Sequence, residues 1–130
     1  MPVADTELLF ALNPLDPKHE KAMKSLSLKP KILDTAIFEF QVVLRARNRK
    51  ATEIASAMAA LKQIFEGRKL KEICTINANL FIRQAEIEEK YGLSYFDSLI
   101  AASTLAADGI IVSDDPAFDK VQGLKRIPLG

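Results

Sequence analysis

Four acidic residues beside apolar runs are the side chains of this sequence best suited to chemistry. They are Asp5, Glu39, Asp97 and Asp115, spread over most of the 130 residues. Burying a carboxylate without a partner is costly, because a low dielectric disfavours its charged form. A fold that brings four carboxylates together needs a cation to offset their repulsion. The pattern therefore predicts one metal site assembled from distant segments of the chain.

The type of ligand predicts the metal and the reaction. Carboxylate oxygens without clustered His or Cys favour Mg2+ or Mn2+ over Zn2+. His19 is the only histidine, so a mechanism with two imidazoles is excluded and metal-activated water remains as the nucleophile. Hydrolysis of a phosphodiester bond is the reaction that fits. Thr6 or Ser113 could support the metal ligands by hydrogen bonding.

Three of these acids also have an ordinary structural role open to them. Asp5 could cap a helix that follows a strand, and Asp97 could form a capping box with Ser94. Asp115 could cap a short helix that starts at Pro116. Both roles stay open for each of the three residues at the level of sequence.

Glu39 is the hardest of the four to explain as a structural residue. Phe38 and Phe40 flank it in a helix whose apolar residues cover most of the circumference, which predicts a largely buried helix. A salt bridge to Arg45 or Arg47 is the competing explanation.

Two further acids could join the site. Glu7 could extend into solvent on the first turn of a helix, where a carboxylate suits the positive end of the helix dipole, or it could add a fifth charge. Asp114 precedes Asp115, and adjacent residues on a strand point to opposite faces, so only one of the two would enter the site. We expect that residue to be Asp115.

The elements that must position these acids alternate between strands and helices. Apolar runs predict strands at residues 1–4, 31–34, 70–76, 110–112 and 124–129. Apolar periodicity and helix stop signals predict helices at residues 8–12, 16–26, 35–48, 52–67, 79–91 and 94–107. This alternation predicts an α/β fold with a mainly parallel sheet of about four to five strands and helices on both faces. Ligands bind such sheets at the carboxyl ends of the strands, where Asp5 and Asp115 both fall.

Composition predicts one globular domain over residues 1–130. The chain is 48% apolar and 27% charged, which excludes a disordered chain. The net charge is only +1, so any contact with nucleic acid would come from local basic patches. We find no basic and apolar leader, and no apolar run approaches the roughly 20 residues that span a bilayer. With a lone Cys74, expected to be a buried and inert thiol, these features predict a cytoplasmic protein without a membrane anchor.

Four segments together resemble the PIN domains and, within them, the small VapC-type ribonuclease toxins. The segments are Val3-Ala4-Asp5-Thr6, Phe38-Glu39-Phe40, Tyr95-Phe96-Asp97-Ser98-Leu99-Ile100-Ala101-Ala102 and Ile111-Val112-Ser113-Asp114-Asp115-Pro116-Ala117-Phe118. The resemblance covers nearly the whole chain and implies a three-layer α/β/α fold. It also implies Mg2+- or Mn2+-dependent cleavage of single-stranded RNA. The implied metal ligands and catalytic residues are Asp5, Glu39, Asp97 and Asp115.

The same resemblance implies partners. They are a single-stranded RNA substrate, a second copy of the chain in a homodimer, and a cognate antitoxin that blocks the acidic site, often with a basic side chain. Contacts to the RNA backbone could come from a basic segment that holds Arg45, Arg47, Arg49 and Lys50. Solvated helix ends explain these residues equally well. The sequence offers no exposed aromatic series that would stack on bases.

Two other functions stay open. A PIN-like module could bind RNA or a protein partner without cutting, above all if Glu7 distorts the site. A haloacid-dehalogenase-like phosphatase fits less well. The run Asp5-Thr6-Glu7 approximates the Asp-x-Asp motif of such enzymes, but the second Asp is absent and Glu39 would have no role.

Overall fold

A five-stranded parallel sheet forms the centre of the computed structural model, which describes residues 1–130. In chain order the strands are β1 (Val3–Ala4), β2 (Lys31–Leu33), β3 (Glu72–Ile73), β4 (Ile110–Val112) and β5 (Lys125–Ile127). They lie side by side in the order β3-β2-β1-β4-β5, and every neighbouring pair is parallel. Parallel strands cannot be joined by tight turns, so each connection crosses over the sheet.

Helices fill these crossover connections. They are α1 (Thr6–Ala11), α2 (His19–Ser25), α3 (Asp34–Ala46), α4 (Ala51–Arg68), α5 (Ala78–Tyr91) and α6 (Tyr95–Ala106). Two short 3₁₀ helices lie at Leu26–Leu28 and Pro116–Lys120. The six α-helices flank the sheet, which confirms the predicted three-layer α/β/α fold with a parallel sheet. Every helix is too short or too polar to cross a membrane.

The three inner strands of the sheet carry residues that are inaccessible to solvent. They are Val3 and Ala4 of β1, Ile32 and Leu33 of β2, and Ile111 and Val112 of β4. Strands covered on both faces read as continuous apolar runs, as these do. The segment 98–104 of α6 is buried as well. It consists of small and aliphatic residues, which let this helix pack close to the sheet. Both sides of the sheet are therefore closed around β1 and β4.

The register of these strands sets the place of the acids. Val3 pairs with Ile111 and Ala4 pairs with Val112. Continuing this register by one residue brings Asp5 to the level of Ser113. The backbone N–H of Asp5 donates to the carbonyl of Val112 at 3.1 Å. The end of β1 is thus held against the end of β4, at the carboxyl edge where a ligand site is expected.

The end of α4 differs from the prediction. The sequence predicts a stop at Gly67, but the helix continues to Arg68 and ends where Lys69 adopts a left-handed φ of 58°. The N–H of Leu70 then donates to the carbonyl of Phe65 at 2.8 Å, and both side chains are buried. Packing at this turn thus outweighs the cost of about 1 kcal/mol for a helical glycine.

Two other boundaries move. The helix predicted from Asp16 begins at His19, because the Asp16 carboxylate accepts a hydrogen bond from the N–H of Lys18 and forms a turn first. The strand predicted over 70–76 shortens to β3, the strand at one edge of the sheet. Cys74 follows β3 and is exposed, so the prediction of a buried thiol is wrong.

The burial of α3 is lower than predicted. Phe38 is 41% exposed, and Val42 and Val43 are half-buried. Only one side of this helix packs into the core, through residues such as Ala36 and Phe40. Apolar residues all around a helix predict full burial, but here part of that surface faces solvent.

Candidate active site

Asp5 ends β1 and begins α1, with its carboxylate buried. Oδ1 accepts a hydrogen bond from the N–H of Thr6 at 2.7 Å, and Oδ2 accepts one from Ser113 Oγ at 2.6 Å. Burial raises the pKa of Asp5 to about 7. The hydrogen bond from Ser113 opposes this rise, whereas the charges of Glu7 and Glu39 add to it. A negative charge at Asp5 is therefore costly in the absence of a cation.

Glu39 lies on α3 and faces the start of α1. Its Oε1 accepts a hydrogen bond from Thr6 Oγ1 at 2.5 Å. Burial raises the pKa of Glu39, the hydrogen bond from Thr6 opposes the rise, and the charge of Asp97 adds to it. Neither Arg45 nor Arg47 pairs with Glu39. The salt-bridge explanation for this residue is therefore wrong.

Asp97 lies in the first turn of α6. The side chain of Ser94 caps this helix and accepts a hydrogen bond from the N–H of Asp97 at 3.2 Å. The Asp97 carboxylate makes no reciprocal bond to the Ser94 backbone, so only half of a capping box forms. Burial raises the pKa of Asp97, and the charge of Asp115 adds to the rise.

Asp114 and Asp115 have different surroundings. Asp114 pairs with Lys18 Nζ at 2.9 Å and accepts a hydrogen bond from the N–H of Leu129, and the bond from Lys18 lowers its pKa. Asp115 Oδ1 accepts a hydrogen bond from the N–H of Ala117 and so caps the 3₁₀ helix. Asp115 nevertheless lies close enough to Asp97 for its negative charge to raise the pKa of Asp97. Of the two, Asp115 is the one that neighbours the acidic group.

Glu7 does not extend freely into solvent. Its Oε1 accepts a hydrogen bond from the N–H of Asp114 at 2.5 Å, and its Oε2 lies 3.9 Å from Lys18 Nζ. The side chain is only 32% exposed. Glu7 thus holds the loop after β4, and its charge also contributes to the raised pKa of Asp5.

These acids form a connected electrostatic group with hard oxygen donors. The repulsive pairs are Glu7 with Asp5, Asp5 with Glu39, Glu39 with Asp97, and Asp97 with Asp115. The donor set therefore fits Mg2+ or Mn2+. However, no three His, Cys, Asp or Glu side chains lie close enough together to hold a metal ion. The oxygen donors are of the type that binds a divalent cation, but three of them do not converge on one position.

The basic segment at the end of α3 makes contacts within the chain. Its contacts are Arg45 Nε to Gln41 Oε1 at 2.8 Å, the Arg47 guanidinium over the Phe10 ring at 5.0 Å, and Arg49 to Glu53 at 3.8 Å. Lys50 and the three arginines are all exposed. Their side chains are accessible to a phosphate backbone, but each arginine would exchange an existing contact for it.

The largest cavity lies away from the acids. It has a volume of about 590 Å³ and lies among α1, α2, α3 and α4. Its lining is mainly apolar and includes Leu9, Phe10, Phe40, Leu44 and Leu61, with Arg47 and Arg49 among its polar members. None of the four predicted acids lines this cavity.

Asp34 is an acid that sequence analysis missed. It follows β2 and accepts four hydrogen bonds, from the N–H groups of Thr35, Thr75 and Ile76 and from Thr75 Oγ1. Burial acts to raise its pKa, but these hydrogen bonds outweigh burial and lower it. The available signal was its place directly after a strand, which it shares with Asp5.

Comparison with known proteins identifies the family. The family model of the PIN domain matches residues 3–124. The chain belongs to the PIN-domain family. PIN domains are generally nucleases, which hydrolyse phosphodiester bonds and use divalent metal ions. The resemblance noted in the sequence is thereby confirmed at the level of the family.

One solved structure shares its fold with nearly the whole chain. It is the crystal structure of VapBC2 from Rickettsia felis bound to a DNA fragment from their promoter. A chain of that structure superposes with a TM-score of 0.67 at 19% sequence identity, and 98% of each chain is covered. At this identity the likeness concerns the fold. No curated protein matches the sequence.

Proposed function

We propose that this PIN domain is a Mg2+- or Mn2+-dependent endoribonuclease that cleaves single-stranded RNA. One observation carries the proposal. In a fold of a nuclease family, burial and mutual repulsion raise the pKa values of Asp5, Glu39 and Asp97. Carboxylates that are costly to keep charged gain most from a nearby divalent cation, and strongly shifted pKa values concentrate at functional sites.

The four acids have distinct proposed roles. Asp5, Glu39 and Asp97 would hold the principal ion, and Asp115 would complete the set of ligands or orient water. When bound, such an ion lowers the pKa of a water molecule and stabilises the charge that develops on the phosphate.

Two hydroxyl groups hold the acids in position. Ser113 Oγ donates to Asp5 and Thr6 Oγ1 donates to Glu39, and each bond favours the ionised carboxylate. Thr6 also donates its backbone N–H to Asp5. One residue therefore ties the first two acids together, and Ser113 ties the first to the loop after β4.

The test is cleavage of a mixed pool of single-stranded RNA by the purified protein in Mn2+, Mg2+ or EDTA. We expect metal-dependent cutting that is lost in the Asp5→Ala and Asp97→Ala variants while circular dichroism shows a retained fold. Asp108→Asn is the matched control, because Asp108 pairs with the amino group of Met1 and with Lys31 at the opposite edge of the sheet. A single-stranded DNA pool of the same sequence separates RNA from DNA as substrate.

Cutting in EDTA, or cutting that survives both alanine substitutions, would contradict the proposed site. The absence of cutting from a folded protein that binds metal would contradict the enzyme and favour a binding module. That second function has one observation in its support, namely that no three ligands converge on a metal position. The haloacid-dehalogenase-like alternative loses its support, because the family is a different one.

The biological role follows by analogy with the structural neighbour. We propose that the protein acts in the cytoplasm as the toxin of a toxin–antitoxin pair, that it forms a homodimer, and that a cognate antitoxin blocks the acidic site. The neighbour with the same fold is part of VapBC2, which supports this analogy. Growth arrest on expression of the wild type, absent for the Asp97→Ala variant at equal protein level, would support a toxin. Unimpaired growth with an active nuclease would favour RNA processing.

A further inference from the structure

Three aromatic side chains border the proposed active site. Phe38 directly precedes Glu39 in α3, and Tyr95 and Phe96 directly precede Asp97 in α6. Consecutive side chains on a helix are about 100° apart, so Phe38 adjoins Glu39 and Phe96 adjoins Asp97. Tyr95 lies farther around α6 and continues this surface through its contact with Phe96. Phe38 and Tyr95 are both exposed, so the expectation that the chain lacks exposed aromatic side chains near the site is wrong.

These three rings form one aromatic patch, defined here as Phe38, Tyr95 and Phe96. The half-buried Phe96 lies between the other two. Its ring centroid is 6.0 Å from that of Phe38, with an interplanar angle of 53°, and 5.2 Å from that of Tyr95, at 74°. In a tilted or edge-to-face pair the edge of one ring packs against the face of the other, so one contact covers at most one of the two faces of a ring. Phe38 and Tyr95 are 41% and 44% exposed, so both outer rings offer surface to a ligand.

The charge of the neighbouring site determines which ligand this patch suits. Four ionised carboxylates carry more charge than one divalent cation neutralises, so the proposed site keeps a net negative charge that repels the phosphates of a nucleic acid and needs affinity from another source. Stacking on the face of a base supplies such affinity, because the faces of bases are uncharged. Isolated exposed apolar residues are common on protein surfaces. Here Phe96 pairs with both Phe38 and Tyr95, and Phe38 and Phe96 each precede an acid of the site, which favours a shared function.

We propose that Phe38 and Tyr95 stack on unpaired bases of single-stranded RNA and so place a backbone phosphate beside Glu39 and Asp97. This inference rests on the proposed function and adds the structural feature that distinguishes single-stranded from duplex RNA. Bases in a duplex are stacked on one another and offer no free face, so the patch favours single strands. Since every base has a π face, the patch tolerates many sequences.

The test measures binding separately from cutting. The Asp5→Asn variant is titrated in Mn2+ with a short single-stranded RNA that carries the fluorescent base 2-aminopurine, and a gel shows that the RNA stays intact. Stacking quenches this fluorescence, whereas contact with the backbone alone does not. Adding Phe38→Leu or Tyr95→Leu keeps apolar volume but removes the aromatic face. We expect each to weaken binding about 5- to 150-fold and to reduce the quenching.

The chain offers a matched control in Phe81 on α5. Phe81 is also 41% exposed, but no aromatic ring pairs with it. Phe81→Leu is expected to leave affinity and quenching unchanged. Phe38→Tyr and Tyr95→Phe keep an aromatic face, so both should bind RNA as the parent does, which separates loss of stacking from loss of fold. A duplex of the same sequence should bind more weakly and be insensitive to all these changes.

Three outcomes would overturn the role of the patch. The first is equal affinity of the Phe38→Leu, Tyr95→Leu and Phe81→Leu variants, and the second is a duplex bound as tightly as the single strand. The third is a change in molar mass by light scattering with either patch substitution, which would assign the patch to contact between copies. Stacking-dependent binding by a wild type that cuts no RNA would instead overturn only the nuclease. Efficient cutting with leucine-insensitive binding would overturn only the patch.

Discussion

Asp5 and Asp34 occupy equivalent places on neighbouring strands, yet their pKa values move in opposite directions. Asp5 follows β1 and Asp34 follows β2, and each accepts a hydrogen bond from the N–H of a following threonine. Beyond that shared bond, Asp34 meets three more donors, whereas Asp5 meets one hydroxyl and two carboxylates. Whether an aspartate at a strand end is structural or reactive thus depends on whether the groups that face it are hydrogen-bond donors or other carboxylates.

The contrast extends to the surroundings of each residue. Thr75 and Ile76 turn two N–H groups and a hydroxyl toward Asp34, and Thr75 continues into a hydroxyl network with Ser103 and Thr35. A carboxylate with this many donors is stable as an anion. The hydrogen bonds to Asp5 do not offset the rise in pKa that burial causes, so its negative charge needs a further partner. Substitutions at the two positions should therefore separate activity from stability.

The largest effect should be the loss of activity in Asp5→Asn. Losing a ligand forfeits the several kcal/mol that a bound metal supplies, so kcat/KM on an RNA oligonucleotide should fall about 10³-fold or more. Asp34→Asn is the matched variant at the neighbouring strand end, and it should retain activity within about tenfold while it lowers stability. Equal activity losses in the two variants would remove the distinction between these aspartates.

The second effect concerns pH. Burial raises the pKa of Asp5 from its ordinary value of 3.8 to about 7, so the folded state binds more protons than the unfolded state between these pH values. Stability of the metal-free protein should therefore fall as pH rises from about 4 to 7, by up to about 1.4 kcal/mol per pH unit. Asp34 has a lowered pKa, so its contribution is instead lost as pH falls below about 4.

Urea unfolding in EDTA at several pH values measures this linkage. Asp5→Asn should flatten the curve and be more stable than the wild type at pH 8, since it removes a costly charge. Glu39 and Asp97 have raised pKa values too and should leave a residual slope. Parallel curves for wild type and Asp5→Asn would show that Asp5 has an ordinary pKa.

A third, smaller effect should follow from Asp34→Ala. Removing the carboxylate leaves the N–H groups of Thr75 and Ile76 without their acceptor, which should lower the free energy of unfolding by about 1 to 3 kcal/mol. Asp16→Ala is a suitable control, because Asp16 accepts one hydrogen bond, from Lys18, in an exposed turn. Urea unfolding at pH 7 compares them, and equal stability losses would contradict the role given to Asp34.

The smallest effect should come from Ser113→Ala. The Ser113 hydroxyl donates a hydrogen bond to Asp5, as the Thr75 hydroxyl does to Asp34. Loss of the Ser113 hydroxyl should weaken Mn2+ binding about 10- to 100-fold, as measured by calorimetry. The pKa of Asp5 should rise further, since the Ser113 bond lowers it, and NMR titration measures this shift. Ser27→Ala, at an exposed serine that bonds only Lys24 in its own helical turn, should change neither quantity. Unchanged Mn2+ affinity in Ser113→Ala would exclude the supporting role.

Much of the fold was predictable because its patterns are local. Continuous apolar runs marked the central strands, and the rule that ligands bind at strand carboxyl ends brought Asp5 and Asp115 to one edge. The caps at Ser94 and Asp115 were visible as short-range motifs and are present. Such features need only neighbouring residues, so one sequence contains them.

Three differences from the sequence predictions depend on distant partners, whereas the late start of α2 reflects the local hydrogen bond between Asp16 and Lys18. Nothing near Asp34 indicates that a loop 41 residues later supplies its donors. Phe38 belongs to an apolar run, and only the position of α6 shows that its ring remains accessible. Cys74 lies in a run typical of a strand, but β3, the strand at the edge of the sheet, ends at Ile73 and leaves Cys74 exposed. The metal ligands named from the sequence stay a prediction, because the convergence of side chains around a metal depends on the whole fold.

The position of β1 between β2 and β4 has a consequence for the order in which the protein is made. β1 ends at Ala4 and its partner β4 starts at Ile110, so these two neighbouring strands cannot pair until the chain between them and β4 itself have been synthesised. Such long-range pairing is slow compared with local helix formation. Because Asp5 and Asp115 lie at the ends of β1 and β4, the proposed site can assemble only after that step.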